Sequence, residues 1–494
     1  MTTKTSHPKA LYTLFATEMW ERFSYYGMRA LLTLYLTAEL ANGGFGLNRE
    51  ESLTLYAIFT GLVYLTPILG GWVADKFLGK RKTVYIGGLV MSVGQFLLAA
   101  SAFMVHSLDP VTRLFVFNFG LGVLIIGNGF FKPNISTIVG DFYDDNDPRK
   151  DSAFNIFYMG INLGAILGPF IAGALGENVD WGWGYLSAGI GMIIGVLWMK
   201  AREATLEDKG MPPNTPEDKL VLDSKDWRDI IIYAVALVIA TFATVLVWGM
   251  LPDSVASIIT YIGFAVGIFG LGYIIFQGTS GSDEWTRMIV ILVLAFFNVA
   301  FWAGFEQAGG TMNLFAKENT DRLIFGWDMP ATWFQNINPI AILIFAPIFS
   351  IMWLKLDAMK FNPRTPIKFA IGLFLGAAAF WLMTQASHAA DGGNLVSPWW
   401  LVAVYVVLTL GELMLSPIGL SMITKLAPRK LVSVVMGLWM ASFAAGNYLA
   451  GMMESILHKY DFELYPFITM LMLGSGVCLV ILSPFLNKAM KGIH

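Results

Sequence analysis

Four charged side chains stand where an apolar segment should have none. Glu18, Glu21, Arg22 and Arg29 fall inside the first long apolar stretch of the 494-residue chain. A charge at mid-bilayer costs at least ~2.5 kcal/mol and ordinarily faces a cavity or a partner. At 100° per residue, Glu18, Arg22, Tyr25 and Arg29 share one stripe of a helix, with Tyr26 and Glu21 flanking it. Glu18 and Arg22 are spaced i,i+4, so one reading is an ion pair that only satisfies itself. That reading leaves out Arg29, which has no acid three or four residues away. Lys132, Glu306 and Glu412 are the other charges set deep in apolar stretches.

The elements that must position these groups are transmembrane helices. The chain is 56% hydrophobic and 14% charged, with a mean hydropathy of +0.62, whereas soluble domains carry roughly 25% charged residues. Fourteen apolar windows suit spans of ~20 residues. They lie near 11–40, 52–78, 83–105, 111–131, 152–175 and 183–199, then 229–250 and 254–276, then 286–310, 331–354, 366–386, 398–425, 431–457 and 464–486. The charged, proline-bearing stretch 200–228 separates the first six from the rest. The expected fold is an all-α membrane protein of two six-helix bundles plus two extra helices. Its divisions are residues 1–200 for the first bundle, 201–285 for the linker and inserted pair, and 286–494 for the second bundle. The inserted pair has no charge in its membrane portion and is expected at the periphery.

Lysine and arginine orient the spans. With both termini cytoplasmic, 24 of the 32 basic residues fall in cytoplasmic segments, 5 outside and 3 within spans. The first apolar segment is too long and too charged for a cleaved leader, so it is taken as a true span. The net charge of −3 argues against a nucleic-acid partner, and the lone Cys478 excludes an intrachain disulfide.

Orientation sets depth. Arg29 and Glu306 fall in the outer half, Lys132 and Glu412 in the inner half. In each pair the base belongs to the first bundle and the acid to the second. Such pairs suit latches that close a central chamber alternately from either side. Protonating the acid would weaken its latch. Permanent bridges that merely hold the bundles together are the other reading. Pro133, Pro339 and Pro417 adjoin polar residues and are candidate helix breakers.

Several motifs then resemble one family. Glu18-Met-Trp-Glu-Arg-Phe-Ser-Tyr-Tyr-Gly27 is similar to the ExxERFxYYG signature of the proton-dependent oligopeptide transporter family, within the major facilitator superfamily. Residues 154–166 resemble its second signature, and 127–136 its span-four motif. Gly71 to Asp75, with Gly79 and Arg81, resembles the superfamily loop between spans two and three. Residues 302–307, 336–339 and 411–417 match in the second half. The resemblance implies the major facilitator fold, fourteen spans of bacterial type, and proton-coupled import of di- and tripeptides across the inner membrane. It implies proton coupling by Glu18, Glu21, Arg22 and Glu306, and gate salt bridges Arg29–Glu306 and Lys132–Glu412. It places the peptide carboxylate near Arg22, Lys132 and Tyr26, and the amino group near Asn162, Asn338 and Glu412. Tyr25, Tyr64, Trp302, Trp439 and Ser416 would shape side-chain pockets. Members often carry an acid just before the one at Glu306; here Phe305 stands there.

The residue chemistry fits independently. A small peptide is a zwitterion, and the first half offers Arg22, Arg29 and Lys132 where the second offers Glu306 and Glu412. Amides at Asn162 and Asn338 can bond a peptide group in either sense. The runner-up is a carrier of the same fold for nitrate or a drug-like compound. Enzyme chemistry is not expected: no nucleophile–base pair or metal cluster is visible, and no phosphate-binding loop suggests ATP drive. No cofactor or metal is expected, and the carrier is expected to work as a monomer in the lipid bilayer. The acidic stretch 141–151 reads as a solvated turn, with Asp141 a candidate helix cap or partner of Arg81. Gly160 and Gly164 suit close helix packing.

Overall fold

The computed structural model describes residues 6–144, 147, 149–212, 228, 276, 279, 281–428 and 432–490. The inserted pair expected near 229–250 and 254–276 lies outside them. Among the described residues, nine helices are long and apolar enough to cross a membrane.

The described chain divides into two compact units. One comprises Met1–Val247 with Met329–Pro339, the other Trp248–Asp328 with Ile340–His494. In the first unit, α1 is Lys9–Thr37, α2 Arg49–Val73, α3 Lys80–Phe103 and α4 Pro110–Gly140. Helix α5 runs Lys150–Gly168, passes a π turn at Pro169–Gly173 and ends as Ala174–Asn178; α6 is Trp181–Ala201. The 29 residues of α1 span about 43 Å at ~1.5 Å each, more than a ~30 Å hydrocarbon core.

Local chemistry starts these helices. Asn48 and Glu51 form a reciprocal capping box before α2, with Glu51 N–H to Asn48 Oδ1 at 2.8 Å and Asn48 N–H to Glu51 Oε2 at 3.1 Å. Asp109 accepts from the Val111 and Thr112 amides ahead of α4, with Pro110 in the first turn. Those bonds, with the Thr112 hydroxyl, hold the exposed Asp109 carboxyl below its usual range. Buried Arg113 then ties the same end of the unit together. Its Nη2 donates to Tyr35 OH at 2.9 Å and to Gly43 O at 2.7 Å, and its Nε to Ser101 O at 3.1 Å.

Helix α1 is buried along nearly its whole length against α5 and α6. The glycine ridge of α5 makes that possible: a Cβ on Gly164 would come within 2.7 Å of Arg22 Cβ. The small-residue spacing expected for packing therefore also sets where Arg22 stands.

At the opposite end, Lys80 pairs with Asp141 at 2.8 Å. This corrects the expectation that Asp141 partners Arg81. The Arg81 guanidinium instead donates to the carbonyls of Leu206, Glu207 and Lys209, pinning the segment after α6. His7 meets Tyr143 OH at 2.9 Å, and Arg149 donates to Ser6 O at 2.7 Å, so the chain start docks on the α4–α5 connection.

In the second unit, α7 is Gly281–Phe305, followed by a 3-10 turn Glu306–Gly309 and a short helix Thr311–Glu318. A two-stranded ribbon pairs Leu323–Ile324 with Trp327–Asp328. A 3-10 turn Ala331–Asn336 leads into α8, Ile337–Ala358. The rest are α9 Thr365–Ala389, α10 Trp399–Leu426, α11 Val432–His458 and α12 Leu464–Ala489.

Helical structure continues through Pro133 in α4 and Pro417 in α10. The uninterrupted span expected over 286–310 instead breaks at Glu306–Gly309, without a proline. Gln307 explains it. Its Nε2 donates to Ala303 O and, across to α11, to Ala450 O at 2.8 Å, while Thr311 Oγ1 donates to its Oε1 at 2.7 Å. Tyr405 OH donates to Ala308 O at 3.1 Å. These bonds from neighbouring helices replace the ladder lost in the turn.

Residues 329–339 group with the first unit. The Glu177 carboxylate, on the last turn of α5, is the physical reason. It accepts from Ala331 N–H at 3.1 Å, from Thr332 N–H at 2.9 Å and from Thr332 Oγ1 at 2.8 Å. Trp333 stacks on Phe170 at 4.3 Å and donates to its carbonyl at 3.2 Å.

Candidate functional site

In the first unit α1 and α4 bring charge together, and α2 adds an aromatic ring. Arg22 Nε lies 2.9 Å from Glu18 Oε1, and the same guanidinium pairs with Glu21. All three residues are buried, Glu21 completely. Asn128 reaches from α4 and donates Nδ2 to Glu21 Oε1 at 3.2 Å. The i,i+4 bridge is thus present, but it is one arm of a larger cluster in which one cation holds two carboxylates. Such an arrangement is tolerated in a low dielectric only because the charges are paired and hydrogen-bonded.

Lys132 lies one turn past Asn128 on α4, with its Nζ 3.9 Å from the centre of the Tyr64 ring on α2. Arg29 stands 5.7 Å over the Tyr26 ring, and Arg22 stands 5.7 Å over Tyr25. Tyr25 and Tyr26 meet edge to face at 5.2 Å, and Tyr25 stacks on Phe59 at 6.3 Å. Tyrosine faces suit cations, so the three expected bases and three expected tyrosines form adjoining pairs. Asn162 is buried on α5, with Nδ2 bonded to its own helix at Tyr158 O, 2.9 Å. Asn338 is half-buried and belongs to the first unit through residues 329–339.

In the second unit, Glu306 is buried at the start of the α7 break. Glu412 is buried on α10, with Ser416 one turn along it. Trp302 meets Phe305 edge-on at 4.8 Å and Phe443 at 4.7 Å. Trp439 on α11 packs on Phe369 and Phe443, with Gly419 of α10 leaving room for its ring.

Sequence reasoning passed over Asn128, Gln307, Glu177 and Asn298. Asn128, Gln307 and Asn298 are neutral polar side chains in apolar stretches, a weak signal singly, and Glu177 stands at a helix end where a charge is ordinary; the deeper charges drew attention because their burial costs more. Among the described residues no group of three or more His, Cys, Asp or Glu could hold a metal ion.

Nine helices long and apolar enough to cross a membrane among the described residues, with a buried cluster of charge inside the first unit, define a multi-span membrane protein. A profile of the POT family matches residues 81–470, and the chain belongs to that family. It is 36% identical over 476 residues to the peptide transporter YePEPT of Yersinia enterocolitica, covering 93% of this chain and 90% of the relative. It is 35% identical over 447 residues to the di-/tripeptide transporter of Lactococcus lactis subsp. cremoris, covering 87% and 86%. Among solved structures, a peptide transporter POT bound to sulfate superposes with a TM-score of 0.86 at 35% identity, covering 99% of this chain and 97% of that one. A POT family transporter bound to 5-aminolevulinic acid gives a TM-score of 0.84 at 30% identity, covering 98% of each chain.

Proposed function

We propose that this chain is a proton-coupled symporter that imports di- and tripeptides across the cytoplasmic membrane by alternating access. What carries the reading is the buried α1 cluster of Glu18, Glu21 and Arg22 in a chain whose relatives are named for di- and tripeptide transport. Both termini are cytoplasmic, and the working unit is the monomer. Arg29 with Glu306 forms the outer latch, and Lys132 with Glu412 the inner one. A proton on Glu306 releases Arg29; a peptide carboxylate drawn to Arg22 and Lys132 competes with Glu412 for Lys132. The peptide amino group is held by Glu412 with Asn162 and Asn338, and Tyr25, Tyr26, Tyr64, Trp302, Ser416 and Trp439 wall the side chains. No cofactor takes part.

The test is uptake by the chain in sealed proteoliposomes, acid outside and negative inside. Labelled dialanine is expected to accumulate above its outside concentration, and collapsing the proton gradient is expected to abolish that. Dialanine blocked at both termini is expected to compete at least about tenfold less well, the loss of its two terminal charges together forfeiting more than ~1.4 kcal/mol. Equal competition by the blocked peptide would point instead to a carrier of another small substrate.

A further inference from the structure

We propose that Asn298 and Ser442 are positioning residues that lock Trp302 and Trp439 into one unit and thereby set which peptide side chains are accepted. The inference rests on the reading that the two tryptophans wall the peptide pocket.

Asn298 precedes Trp302 by one turn of α7. Trp302 Nε1–H donates to Asn298 Oδ1 at 3.1 Å. The other end of the same amide donates from Nδ2 to Ser442 Oγ on α11 at 2.9 Å. Ser442 Oγ–H in turn donates to the Trp439 carbonyl at 2.6 Å. An unbroken chain of bonds therefore runs from the indole of one wall to the backbone that carries the other. All four residues are buried. An indole N–H has one donor and no acceptor, so Asn298 Oδ1 fixes its direction. Breaking any link strands a buried polar atom, and linked bonds reinforce one another.

Packing closes the remaining freedom. Phe305 and Phe443 hold the Trp302 ring on two sides. A Cβ on Gly446 would come within 2.6 Å of Trp302 Cβ, so α7 and α11 touch at this level. A wall held this way has a fixed width, and a fixed width discriminates by side-chain size. Without Asn298 the indole loses the bond that selects its rotamer, and the two walls become independent.

The measurement is the KM of Ala-Phe relative to that of Ala-Ala, with the corresponding kcat ratio, for the full chain in proteoliposomes. Asn298→Leu, nearly the same shape without the bonds, is expected to change the KM ratio at least about fivefold and more than the kcat ratio. Asn298→Asp keeps the acceptor for the indole and is expected to stay closer to the parent. Ser442→Ala removes both bonds of its hydroxyl but leaves the Trp302–Asn298 bond, and is expected to shift the ratio in the same direction by less. A uniform loss of rate with an unchanged KM ratio in Asn298→Leu would overturn the proposal. If Asn298→Leu does not fold, an unchanged ratio in Ser442→Ala overturns it. Trp302→Ala separates the two levels: should it leave the ratio at the parental value, the pocket reading itself fails.

Discussion

A guanidinium that serves two carboxylates is the feature most sensitive to single atoms. Arg22 holds Glu18 and Glu21 inside an apolar helix, and Asn128 supplies a further donor to Glu21. Planar, multiply donating arginine suits that task where a point-charged lysine would not. The charges outside the membrane-spanning helices behave differently. Arg149 donates Nη2 to Asp147 Oδ2 at 2.7 Å and Nε to Oδ1 at 3.0 Å, and these bonds pull the Asp147 carboxyl down to about 2. A depressed carboxyl contributes stability above its ordinary value near 3.8, and that contribution fades only as pH falls toward 2. Between pH 5 and 8 the melting temperatures of the parent and Asp147→Asn should therefore differ by a constant offset. An offset that changed across that window would place the titration on a group other than Asp147.

At the scale of elements, legibility tracks the cost of being wrong. Charges in apolar stretches announced Glu18, Arg22, Glu306 and Glu412 because burying them demands a reason. The periodicity of α1 was equally readable, and the glycines of α5 were read correctly as packing positions. The break in α7 was not readable: it is held by Gln307 and Tyr405 across to other helices, and no proline marks it. Helical structure continues through Pro133 and Pro417, as bundle interiors allow where neighbouring groups can take up what proline frees. The junction of α5 with the turn before α8 was also invisible, because Glu177 and Thr332 lie 155 positions apart. It yields a sharp expectation. Glu177→Ala should raise amide exchange at Ala331 and Thr332 at least about tenfold, the equivalent of losing ~1.4 kcal/mol. Unchanged exchange would mean that the carboxylate does not hold this turn.

Across the whole molecule, twelve of the fourteen apolar windows correspond to described helices, and the inserted pair lies outside the described residues. The grouping into units differs from chain order in one place. Helix α8 begins within the first unit and passes to the second at Pro339 and Ile340. On the proposed function, the two acids of the second unit, Glu306 and Glu412, are the groups through which protons and peptide act.

Glu306→Gln tests coupling most directly. The substitution keeps shape and removes the exchangeable charge. In proteoliposomes with acid outside, the variant is expected to exchange labelled dialanine across the membrane as the parent does while failing to concentrate it. Uphill accumulation at the parental level in Glu306→Gln would contradict the central claim.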